Sequence, residues 1–278
     1  MSTKSRKRVR EDEESIPANK DISTGVDTIG EKRKRQKKGN KLNRDQDTEK
    51  IGDINTAVGK MDGKLLADYF AQKAKRRNKD LTAIELDEIY VPEYAFLDTS
   101  SWQSPRTLTS LPSFLKKYSF KKELSLSKAP AENGTPHILV VTIAGLRAAD
   151  LTRYSPRSNC IDLADRLRAL RPFQNNEFTV AKLFAKHIKL AQAQEFVKKT
   201  RIGIGVGTPA RLNDLAESGA LSLDSLKYVV IDGSYIDQKK RGIFDMADLL
   251  FPLLKFLNRT DMRDRYKSSA GKLQVLVF

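Results

Sequence analysis

Arg201-Ile202-Gly203-Ile204-Gly205-Val206-Gly207-Thr208-Pro209-Ala210-Arg211-Leu212 changes period in its middle. As far as Val206 it is a short run suited to a buried strand. From Thr208 it reads as a helix start, because a Thr-Pro pair supplies a cap hydroxyl and then a first-turn residue with its φ already set. A strand that opens onto a helix is half of a strand–helix–strand unit, and the sequence on either side supplies the rest. Upstream, His137-Ile138-Leu139-Val140-Val141-Thr142 is a continuous β-rich run followed by a helical pattern over 145–154. A helical stretch near 163–170 and a strand around 180–184 come next. Downstream of the helix at 210–218, Lys227-Tyr228-Val229-Val230-Ile231-Asp232 is a fourth strand, 244–259 is apolar and helical, and 273–278 is a fifth strand. Short buried strands alternating with helices predict an α/β fold whose single parallel sheet is covered on both faces, occupying residues 132–278.

Residues 61–131 have a different character. Leu65, Leu66, Tyr69 and Phe70 recur at helical spacing, which predicts a helix over 64–76. It runs out into Lys73, Lys75, Arg76, Arg77 and Lys79, cations that suit a helix C-terminus. Thr82-Ala83-Ile84-Glu85 has capping-box spacing for a second, short helix. Trp102, Pro105 and Pro112 mark a wrapping segment with one more helix near 111–118, and the Ser, Pro, Asn and Gly content of 125–136 marks a linker. The helix around 65–70 stands far from the sheet in sequence. It serves either as core or as a peptide-like docking element for another protein. The apolar stretch 244–259 poses a similar choice between core and partner groove.

Residues 1–60 contain no Phe, Trp or Tyr, and carry 16 Lys and Arg against 11 Asp and Glu, a net of +5. Without apolar residues to offset the entropy of ordering, this segment is predicted to be a disordered basic tail. Arg6-Lys7-Arg8-Val9-Arg10 lies on one side of an acidic run at 11–14. Lys32, Arg33, Lys34 and Arg35 with Lys37 and Lys38 lie on the other. Such clusters act as nuclear import addresses or as loose nucleic-acid contacts; a solvated charge run is the alternative.

The whole chain of 278 residues has a net charge of +16, so +11 remains on residues 61–278 and a polyanion is the expected partner. Cys160 is the only cysteine, which excludes a disulfide framework and multi-cysteine zinc sites; it is expected to be an inert thiol. Two histidines, His137 and His187, exclude a histidine-rich metal centre, and His187 is expected to be structural. The longest apolar run, around 138–146, is far short of the ~18 residues of a membrane span. The basic N-terminus lacks the apolar core of a secretory signal. These features predict a soluble intracellular protein with no metal, cofactor or membrane association.

Val206-Gly207-Thr208-Pro209-Ala210-Arg211-Leu212 followed by Asp214-Leu215 resembles the Thr-Pro-x-Arg-Leu motif of DEAD-box RNA helicases. Leu226-Lys227-Tyr228-Val229-Val230-Ile231-Asp232 stands where those proteins carry the strand of the Asp-Glu-Ala-Asp box. Gly271-Lys272-Leu273-Gln274-Val275-Leu276-Val277-Phe278 resembles the strand leading to their Ser-Ala-Thr motif. The resemblance covers about residues 137–278 and implies one RecA-like, P-loop-derived lobe with no second lobe after it.

The departures from the family pattern bear on function. Gripping phosphate in this fold takes Gly-x-x-x-x-Gly-Lys-Ser/Thr. The pairs Gly59-Lys60, Gly63-Lys64 and Gly271-Lys272 are followed by Met61, Leu65 and Leu273 and lack the upstream glycine. In Asp232-Gly233-Ser234-Tyr235 the first aspartate of the box remains, the catalytic glutamate is Gly233, and the last aspartate is Tyr235. The expectation is that the chain is no enzyme and binds no cofactor, with Asp232 a strand-end acid capping the next turn.

The basic tail, Asp68-Tyr69-Phe70, Leu183-Phe184-Ala185-Lys186-His187-Ile188-Lys189-Leu190 and Val230-Ile231-Asp232-Gly233-Ser234-Tyr235 together are similar to a eukaryotic ribosome-biogenesis family of the small-subunit processome, the 90S pre-ribosome. That resemblance spans most of residues 64–278. It implies a nucleolar factor, monomeric outside its complex, that binds pre-ribosomal RNA or processome proteins during maturation of 18S ribosomal RNA. Two alternatives stay open: a partner-dependent RNA-stimulated ATPase or helicase subunit, and a basic nuclear protein acting in transcription. Carried over from helicases, the candidate RNA contacts are Gly207, Thr208, Pro209 and Arg211, with Gly145 and Arg147 from the loop after the first strand. Arg211 serves either RNA or its own helix, for instance through Asp214. Arg147, Arg153, Arg157, Arg166, Arg168 and Arg171 form a basic stretch without the aromatics of a stacking platform.

Overall fold

A computed structural model describes residues 54–119, 131–152, 170, 173–174, 179–185 and 188–278. Both basic clusters of the tail, residues 163–169 of the helix expected near 163–170, Cys160, Lys186, His187 and the arginines from 153 to 171 lie outside these residues.

Five strands form one parallel sheet: β1 (Ile138–Val141), β2 (Thr179–Leu183), β3 (Ile202–Gly207), β4 (Tyr228–Ile231) and β5 (Gln274–Val277), in spatial order β2-β3-β1-β4-β5. The register sets Val141 against Gly207 on one side and against Ile231 on the other, so the carboxyl ends of the central strands are level. Side chains alternate between the faces, and two cores result. Leu139, Val141, Leu183, Val229, Ile231, Val275 and Val277 belong to the first core. Ile138, Val140, Val180, Val206, Val230, Leu276 and Phe278 belong to the second. This is the single parallel α/β sheet expected from the alternation of short apolar runs with helices.

The helices divide accordingly. On the first face lie α5 (Leu190–Lys199), α6 (Pro209–Glu217), α7 (Ala247–Leu257) and α8 (Thr260–Tyr266), through Val197, Leu212, Leu253 and Met262. On the second face lie α3 (Leu111–Tyr118) and α4 (Gly145–Thr152), through Phe114 and Leu151. Pro252 sits inside α7, where it breaks the helical ladder. The buried Asn213 of α6 donates from Nδ2 to the Pro252 carbonyl at 2.7 Å and ties the two helices together. The apolar stretch at 244–259 is therefore mostly core, with Leu250, Leu253, Leu254, Phe256 and Leu257 buried. Neither α5 nor α8 is anticipated by the sequence reading.

The helix expected over 64–76 is α1 (Gly63–Arg77), and its role differs from peptide-like docking. Leu66, Ala67, Phe70 and Ala74 are buried in the first core, where the Phe70 ring lies 4.7 Å from Phe244 and 5.2 Å from Phe96. Lys73 forms an ion pair with Asp245 just before α7. Distance along the chain is no guide here, because Leu66 and Phe70 need apolar cover and the sheet's first face supplies it. The short helix α2 (Ala83–Glu88) has its capping box: Glu85 N donates to Thr82 Oγ1 and Thr82 N to a Glu85 carboxylate oxygen.

After α2 the chain runs alongside β5. Phe96 pairs with Val275 in a parallel bridge, Leu97 N donates to Val275 O at 2.8 Å, and Phe114 then packs on Phe278 across the second face, 4.9 Å between ring centres. Residues 61–119 thus build both layers of the lobe. Packing also begins before residue 61: Ile54 bridges Tyr235, Asn55 N donates to Ser234 O, and Val58 is buried. Composition counts these residues with the tail because isolated aliphatics are invisible as core in an aromatic-free segment.

Candidate functional site

The helix leaving β1 lies on the second face, while those leaving both its neighbours, β3 and β4, lie on the first. Chain paths that diverge in this way open a crevice at a strand's carboxyl end, where open α/β sheets take their ligands. Thr142 follows β1 there, Asp232 follows β4 and Thr208 follows β3.

The crevice is filled by the chain's own side chains. Asp232 continues the β4 ladder, its N–H donating to Val141 O at 2.9 Å, and its carboxylate is 2% exposed. Arg147, from the first turn of α4, is 8% exposed and reaches it from above. Nε donates to Oδ2 at 2.8 Å, Nη2 donates to Oδ1 at 3.2 Å, and the Thr142 hydroxyl adds a third bond to Oδ2 at 3.1 Å. The Tyr235 ring covers the guanidinium, 4.3 Å from its carbon. A planar fork matched to a carboxylate is what a buried charge needs to remain charged out of water. Asp232 thus pairs with α4 instead of capping the following turn as expected, and the side chain of Arg147, a candidate RNA contact, is bonded to Asp232 inside the lobe.

The residue after Asp232 has no room for a side chain. A Cβ on Gly233 would meet Val277 Cγ1 at 2.7 Å and Phe244 Cε2 at 2.9 Å. Ser234 is buried and its hydroxyl donates to the Arg106 carbonyl at 3.3 Å. Arg106 itself, 6% exposed, is a residue the sequence reading missed. Its guanidinium donates to Gly59 O at 2.6 Å, to Thr99 O at 2.9 Å and to Val277 O, with the carbon 5.2 Å above the Phe114 ring. Burial pulls its pKa down to about 10, which leaves it a cation at neutral pH. One arginine thereby binds the segments around 59 and 99 to the end of β5. Nothing in its sequence neighbourhood distinguishes it from a surface arginine.

On the other side of β1 lies the Thr-Pro turn. Gly207 closes β3 under the Leu183 carbonyl, which a Cβ would strike. Thr208 is half-buried in extended conformation at the N-cap, without a side-chain cap bond, and Pro209 is the buried first residue of α6. The first bond of this helix runs from Leu212 N to Thr208 O, so the N–H groups of Ala210 and Arg211 point out of its N-terminus. The Arg211 side chain, however, turns inward. It is 7% exposed and donates twice to Ile188 O, at 3.2 and 3.1 Å, with no bond to Asp214. Lys189, which follows Ile188, is exposed. Gly145 opens α4. Of the six candidates, the structure thus gathers Gly207, Thr208 and Pro209 at one turn and buries the side chains of Arg147 and Arg211.

In the helicases that the sequence resembles, the first aspartate of the box helps hold magnesium, and the residues present here do not fit that ion. Both oxygens of the retained aspartate are taken by Arg147 and Thr142, and position 233 has no space for a carboxylate. Among the described residues, no group of three or more His, Cys, Asp or Glu side chains is placed to hold a metal. Nor is any described helix long and apolar enough to cross a membrane.

Residues 2–278 match the family model described as CMS1, U3-containing 90S pre-ribosomal complex subunit. Protein CMS1 of Chaetomium thermophilum is 44% identical over 247 residues, covering 89% of this chain and 92% of that protein. Human Protein CMSS1 is 30% identical over 195 residues, covering 69% of this chain and 60% of its own length. Among solved structures, Saccharomyces cerevisiae Dbp5 bound to Nup159, Gle1, IP6 and ADP is similar with a TM-score of 0.34 and 13% identity, over 75% of this chain and 45% of that one.

Proposed function

The chain belongs to the CMS1 family of U3-containing 90S pre-ribosomal complex subunits, and on that footing we propose that it is a non-catalytic assembly factor of the early small-subunit precursor. In this reading it attaches to pre-ribosomal RNA or to neighbouring processome proteins in the nucleolus during 18S maturation, as a monomer outside the complex. The observation that carries the non-catalytic part is the Asp232 carboxylate, held on both oxygens by Arg147 and Thr142. A carboxylate so engaged is removed from metal or water chemistry.

The RNA-facing element in this proposal is the turn Gly207-Thr208-Pro209 with the N–H groups of Ala210 and Arg211, joined by the exposed Lys189 that follows Ile188. Backbone donors at a helix N-terminus favour phosphate, and a lysine adds charge without sequence preference. Arg211 contributes by position, through Ile188. The basic cluster at 32–38 supplies nuclear import.

Two measurements on the purified protein test this reading. Structured pre-ribosomal RNA should outcompete duplex DNA at fixed salt, since phosphate attraction alone is common to both. Phosphate release from ATP should stay at the level of an Asp232→Ala variant with or without RNA. Preference for duplex DNA would favour the transcription reading, and RNA-stimulated release above that variant would favour the ATPase reading.

A further inference from the structure

The disagreement between this site and the magnesium that the helicase resemblance implies has a positive content. At the carboxyl end of β1, where chain paths diverge to opposite faces, a buried carboxylate needs a cation. A cation from solvent or bound with a ligand would have to enter and leave. Here Arg147 supplies the charge from within the chain, with two directed bonds to Asp232, and Tyr235 closes over its outer face. The Tyr235 backbone is itself pinned by its bridge to Ile54, and the neighbouring Asn55 N–H bonds Ser234 O at 2.6 Å. Ser234 and Arg106 close the β5 side through the hydroxyl–carbonyl bond and the Val277 contact.

We propose that Arg147 is the built-in ligand of this crevice: its guanidinium takes the place of an exchangeable cation and locks α4 onto β4 in a single conformation that is independent of nucleotide. The inference rests on the non-catalytic reading and gives its structural cause. A lobe whose crevice is permanently occupied has no empty and filled states to alternate between, so no ligand can shift its conformation there. It presents one fixed surface, a property suited to scaffolding.

Thermal unfolding of the full-length protein tests this. Wild-type Tm should be the same with magnesium–ATP, magnesium–ADP or magnesium alone, because a ligand that does not bind the folded state cannot raise it. Arg147→Ala should lower Tm by roughly 10 °C, since it strands a buried carboxylate. Guanidinium ion, at concentrations far below denaturing ones, should recover part of that loss in this variant. Sodium at equal ionic strength should not, and Asp232→Asn in the same background should abolish the recovery. A Tm rise of the wild type with magnesium–ATP beyond that with magnesium alone overturns the proposal. So does an Arg147→Ala protein that guanidinium leaves unchanged. If that variant yields no soluble protein, the wild-type titration decides. Nucleotide binding by the wild type would refute the lock while leaving membership of the pre-ribosomal complex untouched, so the two failures are distinguishable.

Discussion

The Arg211 guanidinium donates two hydrogen bonds to the Ile188 carbonyl, at 3.2 and 3.1 Å, and so fixes the start of α5 against the start of α6. Arg211 and Lys189 then have separable roles. Arg211→Ala leaves a carbonyl without its charged donor and should cost about 1–3 kcal/mol of stability. Lys189→Glu changes an exposed side chain and should leave Tm within error of the wild type. It should instead weaken RNA binding and reduce the salt dependence by about one phosphate contact. Melting and salt-titrated binding of both variants check the pair. An unaltered Tm for Arg211→Ala would remove its positioning role.

Arg106 holds Gly59, Thr99 and Val277 together from inside the lobe. Arg106→Ala should cost about 3 kcal/mol or more, because several buried carbonyls lose their donors at once. Arg106→Lys should rescue little of it, since a single ammonium cannot reproduce a planar fork directed at three acceptors. Chemical denaturation of both variants measures this, and near-complete rescue by lysine would contradict the role assigned to the fork.

Placing at position 233 the glutamate of the helicase box that the sequence resembles should fail for steric reasons. Gly233→Glu drives a side chain into Val277 and Phe244, and a loss of roughly 2 kcal/mol or more is expected from overpacking alone. Phosphate release should not appear in the variant. A stable Gly233→Glu protein would show that the space is not closed.

The tie between α1 and the lobe should depend on pH. At Lys73, burial pulls the ammonium pKa down, but the hydrogen bond it donates to Asp245 and neighbouring charge outweigh it and the net shift is upward. At Asp245, burial pushes the carboxyl up, but Lys73, the Gly242 N–H and Arg77 outweigh it and the net shift is downward. A lowered acid stabilises the fold above its unfolded pKa of about 3.9 and loses that contribution as pH falls through the folded value. A raised base stabilises below about 10.4 and loses it as pH rises further. Asp245→Asn should therefore cost about 1 kcal/mol near neutrality, and the gap to the wild type should close toward pH 3. A gap that persists in acid would assign the loss to packing.

The strands were legible because each is a short apolar run beside turn chemistry, and α6 because Thr208-Pro209 marks its start. The helix α5 was not, since it buries only Ala193 and Val197 along its length and follows Lys189 in place of a usual capping residue. Similarly, α8 has seven residues and a single buried pair, Met262 and Tyr266. The site was half legible. Motif order marked Asp232, Gly207 and Thr208, but whether an arginine faces solvent or a buried acceptor depends on its spatial partner. For Arg147 that partner is 85 residues away, and for Arg106 the partners stand 7, 47 and 171 residues away. No local pattern encodes either.

The most direct measurement is to crosslink the full-length protein to RNA in cells, recover the bound RNA under denaturing conditions and sequence it. Reads should concentrate in pre-ribosomal RNA of the small subunit and fall in the Lys189→Glu variant at equal protein level. Reads drawn mainly from messenger RNA, or bound nucleic acid that is mostly DNA, would contradict it.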